Sequence, residues 1–377
     1  MIYVVQPGDS LYSIAENFSV PQEKIAYDNQ LYGQRHLVVG QSLLILGPGL
    51  PTEKIKDLYV TGYAYTFIDM ELLEQVLPYL DELLIFSYGF TMEGQLIPPL
   101  RNDLPMIRAA WLRGVKPVLV LTPFGSDGAF NNYLVNRVVE NQSVQDQLIQ
   151  QLLETVRDRG YAGVDVDFEF ILPQDRELYA AFVGNLRETM NQNGYTVSVA
   201  VPPKTSADQP GLLYEGIDYR LLGENADKVF LMTYEWGYTY GPPMAVAPLD
   251  KVRQVLDYAV TEIPREKILM GIPNYAYDWP LPYERGVTEA ALIGNVQAVD
   301  IAAANYARIL FDEAAQSPHF TYRKEQTDRE VWFEDVRSID AKLRTAAEYD
   351  FLGVGYWNLM RPFRANWLLL ENITQNV

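Results

Sequence analysis

Between residues 58 and 358 the chain repeats one alternation, and that alternation limits the folds open to it more than any other feature. Apolar runs of strand length occupy residues 58–65, 83–88, 115–122, 161–169, 195–202, 228–235, 267–274 and 351–358. Helical stripes lie between them. Leu148, Leu152 and Val156 form one stripe, opened by a Ser143-x-x-Asp146 capping box and closed at Gly160. Leu178, Phe182, Leu186 and Met190 form another, closed at Gly194. Eight strand–helix units in succession predict an α/β fold, a (β/α)8 TIM barrel. A doubly wound open sheet would usually carry a glycine-rich phosphate turn after its first strand, where this chain has Tyr63-Ala64-Tyr65-Thr66-Phe67.

The interval from Asn274 to Phe351 is too long for a single helix. Residues 320–323 and 330–334 predict two short antiparallel strands. Residues 297–316 predict a helix with Val299, Ala303, Tyr306 and Ile309 or Leu310 on one face. Together they read as a small α+β insertion at about residues 278–335, between the seventh and eighth strands.

Residues 1–47 follow a different plan. Ile2–Val5 is a strand. Pro7-Gly8-Asp9-Ser10 is a turn that supplies an N-cap at Asp9 or Ser10. Leu11, Ile14, Ala15 and Phe18 follow at helical spacing. Ser19 and Pro21 start a second helix that stops near Asn29, and Gln41–Ile45 returns as a strand. This βααβ unit has too little core to be an enzyme by itself. Gly47-Pro48-Gly49-Leu50-Pro51 continues neither strand nor helix, so residues 48–57 read as a linker that permits independent motion, with the barrel domain at 58–377.

Composition excludes several chemistries. The chain has no cysteine and two histidines, His36 and His319, far apart in sequence, which argues against thiolate, His-based zinc and Ser-His-Asp catalysis. No nucleotide-binding or calcium-loop motif is present, so no metal and no other cofactor is expected. The formal net charge of −19 argues against nucleic acid and anionic membranes as partners. No apolar run reaches membrane-spanning length, and residues 1–20 lack the plan of a signal peptide. What remains is chemistry on carboxylates and phenols.

The strand at 161–169 supplies them. In Gly163-Val164-Asp165-Val166-Asp167-Phe168-Glu169 the acids recur at every second position. Asp165, Asp167 and Glu169 therefore share one face of a strand. Like charges that close raise one another's pKa, so one carboxyl can stay protonated near neutrality and act as a general acid. Functional groups of such barrels sit at the carboxyl ends of the strands. Those ends carry Tyr63 and Tyr65, Ser87 and Tyr88, Met232-Thr233-Tyr234-Glu235-Trp236, Asn274-Tyr275-Ala276-Tyr277, and Tyr356-Trp357-Asn358. A rim of rings and carboxylates suits a sugar chain, whose apolar faces stack on rings and whose hydroxyls bond to polar edges.

These motifs resemble two known families. Tyr3-Val4-Val5-Gln6-Pro7-Gly8-Asp9-Ser10-Leu11, Asn29-Gln30-Leu31 and Val39-Gly40-Gln41-Ser42-Leu43 resemble the LysM module, which binds N-acetylglucosamine polymers. The resemblance implies sugar contacts from Gly8, Asp9, Ser10, Asn29, Gln30 and Leu31; Gly8, Asp9 and Ser10 would serve equally well as turn and cap. The run from Gly163 to Glu169 resembles the signature of glycoside hydrolase family 18, and Met232-Thr233-Tyr234 and Trp357 resemble its motifs on strands 6 and 8. Two positions depart from the common pattern: Ala162, where many members have aspartate, and Glu235, where many have aspartate after the tyrosine.

That resemblance implies a retaining, substrate-assisted mechanism. Glu169 would be the acid and then the base. Asp167 would orient the substrate's acetamido group, Asp165 would hold Asp167, and Tyr234 would bond the acetamido oxygen. Trp357 would floor the reacting sugar, with Glu235, Tyr65, Tyr88, Asn274 and Tyr275 as further substrate contacts. Within the family the chain looks most like the cortex-fragment-lytic N-acetylglucosaminidases of bacterial spores. That likeness implies cortex peptidoglycan strands as partner, a monomer, and a place at the spore coat or cortex surface. A chitinase acting on chitin oligomers and a non-catalytic sugar-binding coat protein are the alternatives, as is an extracellular or cell-wall location.

Overall fold

The computed structural model describes residues 1–33, 36–124 and 131–374. Eight parallel strands run Tyr59–Tyr65, Glu82–Phe90, Lys116–Leu121, Gly163–Val166, Thr196–Val201, Lys228–Leu231, Ile268–Pro273 and Gly353–Trp357. Each pairs with its neighbour in the chain, and the last pairs with the first, so the barrel is closed. All eight fall on the apolar runs of the sequence.

The fourth strand shows how the sequence sets inside and outside. Asp165 lies in register with Val120 and Ser198 of the flanking strands. Its neighbours in the chain turn the other way, into the helical layer. There the Phe168 ring sits 5.6 Å from Phe90, 5.7 Å from Tyr179 and 5.8 Å from Phe182, the last two on helix Arg176–Gln192. Burying Phe168 contributes about 2–3 kcal/mol. At the foot of the barrel Lys228 and Glu82 form a buried ion pair.

Three local expectations need correction. The helix over Gln142–Arg159 is capped by Asn141, which accepts from Val144 N and from the Ser143 hydroxyl, so Ser143 lies inside the first turn. Leu178 faces solvent, and Tyr179 and Val183 take the core positions beside Phe182. The helix expected over 297–316 spans only Asn295–Ala304. Leu310–Asp312 instead pairs as a strand with Ser317–His319, completing one edge of the lobe's sheet.

That lobe is a five-stranded antiparallel sheet ordered Ala291–Ile293, Ala276–Pro280, Thr327–Trp332, Ser317–Lys324, Leu310–Asp312. The two expected strands are its centre. Trp279, fully buried, donates to Gly241 O at 2.8 Å and so ties the lobe to the loop after the sixth barrel strand.

The amino-terminal unit has the βααβ order, with Ile2–Val4 antiparallel to Ser42–Leu44 and helices Leu11–Phe18 and Gln22–Asp28. It is docked, not loose. Ile309 N donates to Val39 O, Arg337 donates to Gly40 O, and Arg364 donates through its backbone N to Gln30 and through its guanidinium to Tyr27 O. Gly40 has φ +88°, and a Cβ there would lie 1.9 Å from Ile309 O, so only glycine permits this approach. The segment after residue 51 is laid along the last helix, with Ile55 N donating to Ile373 O. Among the described residues no helix is long and apolar enough to cross a membrane.

Candidate active site

Three carboxylates rise along the fourth strand and grow less satisfied by the protein from the bottom up. Asp165 is fully buried and accepts from Ser198 Oγ at 2.5 Å and from Tyr63 OH at 2.8 Å. Burial raises its pKa to about 6, against the pull of those two bonds. Asp167 continues the strand ladder through its N–H to Leu121 O, but its buried Oδ1 has no hydrogen-bond partner among the described residues. Burial first, and then the charges of Glu169 and Asp165, push Asp167 well above the usual carboxylate range. Glu169 stands half-buried at the mouth. Burial and the facing Glu235 raise it to about 7. Near neutral pH the Asp167–Glu169 pair therefore keeps a proton to give.

Phenols and rings close the site. Tyr234 is buried, and its phenol is held protonated by burial and by the carboxylates around it. Glu235 sits at φ +68° and accepts from both Tyr275 OH and Tyr277 OH. Burial raises the pKa of Glu235 against the pull of those bonds, while its open face lets water screen the charge. Trp357 is half-buried in a cage of edge-on rings, with Tyr63 at 5.4 Å, Phe86 at 5.2 Å and Tyr65 at 5.9 Å. The Phe86–Ser87 and Trp357–Asn358 peptide bonds are cis.

On one side Glu169 opens into a cleft of about 720 Å³ between the loops that follow the fifth and sixth strands. Tyr214, Tyr234, Glu235, Trp236 and Tyr238 line it. Lys204, itself buried, organises the first of these loops by donating to the carbonyls of Ala207, Tyr214 and Ile217.

Asp165, Asp167, Glu169, Tyr234, Glu235, Tyr275, Trp357 and Tyr65 thus converge. Tyr88 does not. Its register against the third strand shifts between Ile85 and Tyr88, which reverses the side-chain alternation. The ring turns outward, where its OH donates to buried Asp103 at 2.6 Å beside Tyr161 and Arg159. Asn274 is buried and donates to Asn358 O and Arg361 O, as a brace under the rim.

In the amino-terminal unit Asp9 accepts from Gln6 N and Tyr3 OH, Ser10 caps the first helix, and Asn29 staples Leu44 through both N–H and C=O. Leu31 is core, and Gln30 is held by Arg364. These side chains are engaged in bonds within the protein. Ser198, Phe86, Tyr214 and Tyr238 were not found from sequence. Ser198 was detectable as the one polar residue in the otherwise apolar run 197–201. Among the described residues no group of His, Asp and Glu could hold a metal ion.

Comparison with known proteins agrees with this geometry. The LysM domain model matches residues 3–46 and the model for Glycosyl hydrolases family 18 matches residues 116–361. A cortical fragment-lytic enzyme of Bacillus subtilis is 38% identical, over 98% of this chain and 97% of its own. The crystal structure of the Bacillus cereus spore cortex-lytic enzyme SleL superposes with a TM-score of 0.93 at 30% identity, covering 100% of this chain and 98% of that one. The Bacillus megaterium SleL structure gives 0.93 at 34% identity, covering 99% and 98%. With its acid strand, its closed barrel and these full-length likenesses, the chain belongs to glycoside hydrolase family 18 and carries a LysM domain at its amino-terminal end.

Proposed function

We propose that the protein is a retaining N-acetylglucosaminidase that cleaves the β-1,4 bond after N-acetylglucosamine in fragments of spore cortex peptidoglycan during germination. The observation that carries this reading is the end-to-end likeness to cortical fragment-lytic enzymes, in a chain whose acid, Glu169, is present and has a pKa raised to about 7. In this role the protein works as a monomer at the spore coat or cortex surface, with residues 1–47 holding the glycan.

Glu169 protonates the glycosidic oxygen as the bond to the leaving sugar breaks. The substrate's own acetamido oxygen attacks the anomeric carbon, so the enzyme needs no nucleophile of its own. Asp167 Oδ1, buried and unpaired, accepts from the acetamido N–H as positive charge develops there. Tyr234 donates to the acetamido oxygen and orients it. Asp165, fixed by Tyr63 and Ser198, keeps Asp167 in place and holds negative charge beneath it. Trp357 forms the floor. Glu169, now a base, activates the water that opens the cyclic intermediate and restores the starting configuration.

The test is mass spectrometry of products from solubilised cortex fragments and from chitin oligomers, for the wild type and for Glu169→Gln. Products with reducing-end N-acetylglucosamine from cortex, absent with the variant, are the expected result. Cleavage of chitin alone would make the protein a chitinase. Binding without products from either would make it a sugar-binding coat protein.

A further inference from the structure

The rings around Trp357 do not stop at the reacting sugar's floor. Tyr65 stands edge-on to Trp357 at 5.9 Å, and Phe67 stacks on Tyr65 at 5.1 Å with their planes only 25° apart. Phe67 is 55% exposed, although burying such a ring would be favourable. Two contacts therefore lead from the floor of the site to an open aromatic platform. This platform follows the first barrel strand, whereas the 720 Å³ cleft beside Glu169 is built by the loops of the fifth and sixth strands.

The guanidinium of Arg101 lies over Phe67, 5.9 Å from the ring centroid. Arg101 is exposed, and among the described residues it has no acidic partner and no side-chain hydrogen bond. In a chain with 49 acidic and 30 basic residues, about half of the described arginines find one. Arg159, Arg187, Arg253, Arg329, Arg337 and Arg344 are all paired. A guanidinium held beside a ring, with its N–H fork unused, is a receptor for a planar anion attached to something that stacks.

We propose that Phe67 and Arg101 form an outer glycan subsite that takes a sugar bearing a carboxylate. Phe67 stacks on the sugar face and Arg101 donates to the carboxylate. The assignment deepens the function proposed above and rests on it. If the bond broken follows N-acetylglucosamine, the next sugar away from the cleavage point is of the muramic type, which carries a carboxyl-bearing substituent. Chitin offers no such group, so Arg101 provides a preference for peptidoglycan that the acid strand does not.

The experiment compares affinities of Glu169→Gln protein for soluble cortex fragments before and after their carboxylates are converted to amides, by calorimetry at low and at moderate salt. With Arg101 intact the native fragments should bind about fivefold more tightly than the amidated ones, less so as salt rises. Adding Arg101→Ala should bring that ratio to about one, and Arg101→Lys should restore part of it. Adding Phe67→Ala should weaken both fragments together and leave the ratio standing. A ratio of one with Arg101 present, or a ratio that survives Arg101→Ala, overturns the subsite. Turnover of the same fragments by the wild type separates the two levels: no turnover removes the functional reading, whereas turnover with no carboxylate preference removes only Arg101.

Discussion

Replacing Asp165 by asparagine should make this protein more stable at neutral pH while removing most of its activity. Asp165 is fully buried, and its pKa rises from 3.8 to about 6 on folding, burial outweighing the bonds from Ser198 and Tyr63. A rise of about two units, at 1.36 kcal/mol each, means that ionised Asp165 costs the fold ~3 kcal/mol. The sign follows from where the proton binds. Below about pH 3.8 the group is protonated in both states and costs nothing. As pH rises the unfolded chain ionises first, and the penalty is complete once pH passes about 6. Asparagine is neutral throughout, can accept from Tyr63 through Oδ1, and can donate to Ser198 Oγ through its amide. The variant's gain should therefore be under 1 kcal/mol at pH 4 and ~3 kcal/mol at pH 7.5, read as a shift in urea midpoint at unchanged slope. At pH 7.5 kcat/KM should drop on the order of a hundredfold, because negative charge under Asp167 is lost. A variant no more stable than wild type at pH 7.5, or equally stabilised at both pH values, would show that burial is not what raises Asp165.

Activity should fall as pH rises through about 7, because Glu169 must be protonated to act as acid, and Glu235→Gln should move that limb to lower pH by removing a charge that raises Glu169; a flat profile between pH 6 and 9 would exclude Glu169 as the acid. Tyr234→Phe should lower kcat about 10- to 100-fold with KM held within about twofold, and a change confined to KM would mean that its bond does not tighten in the transition state. Gly40→Ala puts a Cβ 1.9 Å from Ile309 O, so residues 1–47 should undock and protease cleavage near residues 47–51 should quicken while short soluble oligosaccharides are still cleaved; unaltered protease resistance would mean that other contacts hold the unit. Tyr88→Phe should cost about 1–3 kcal/mol by leaving buried Asp103 short of a donor, and should not touch KM; a raised KM would return Tyr88 to the site.

The barrel was legible because each strand is an apolar run bounded by turns, and the acid face was legible because strand parity is strict. From their spacing Asp165 and Asp167 could be assigned to one face of the strand; that this face is the interior is seen in the closed barrel. Parity is also where the reading of Tyr88 failed. It has the right position at the end of the second strand, but a register shift after Ile85 reverses its direction, and such a shift follows from pairing with Lys116–Leu121, not from local sequence. The helix expected over 297–316 failed for a related reason. Ala303, Tyr306 and Leu310 keep a helical spacing, yet Leu310–Asp312 gains more by pairing with Ser317–His319 at the edge of a sheet. Docking of residues 1–47 was hidden too. Gly40 reads as an ordinary turn glycine until Ile309, far away in sequence, is seen against it.

The three carboxylates are best understood as one device for placing a proton. Ascending the strand, Asp165 has two donors, Asp167 has an oxygen with none, and Glu169 has the mouth of the site and the charge of Glu235. Donors stabilise an anion, so the negative charge settles most readily at the bottom, and the upper pair is left to share the proton. Had Asp167 been given the donors instead, the charge would have settled there and its free oxygen would have had no capacity left for the acetamido N–H that the proposed mechanism brings to it. The cost of burying this ladder is met on the opposite face of the same strand. Val164, Val166 and Phe168 are almost completely excluded from water, with Phe168 stacked on Tyr179 and Phe182. The alternation of acid and apolar residues thus has two effects at once. Each carboxylate is carried inward, to where it is expensive and useful, by a neighbour whose burial outward offsets the expense.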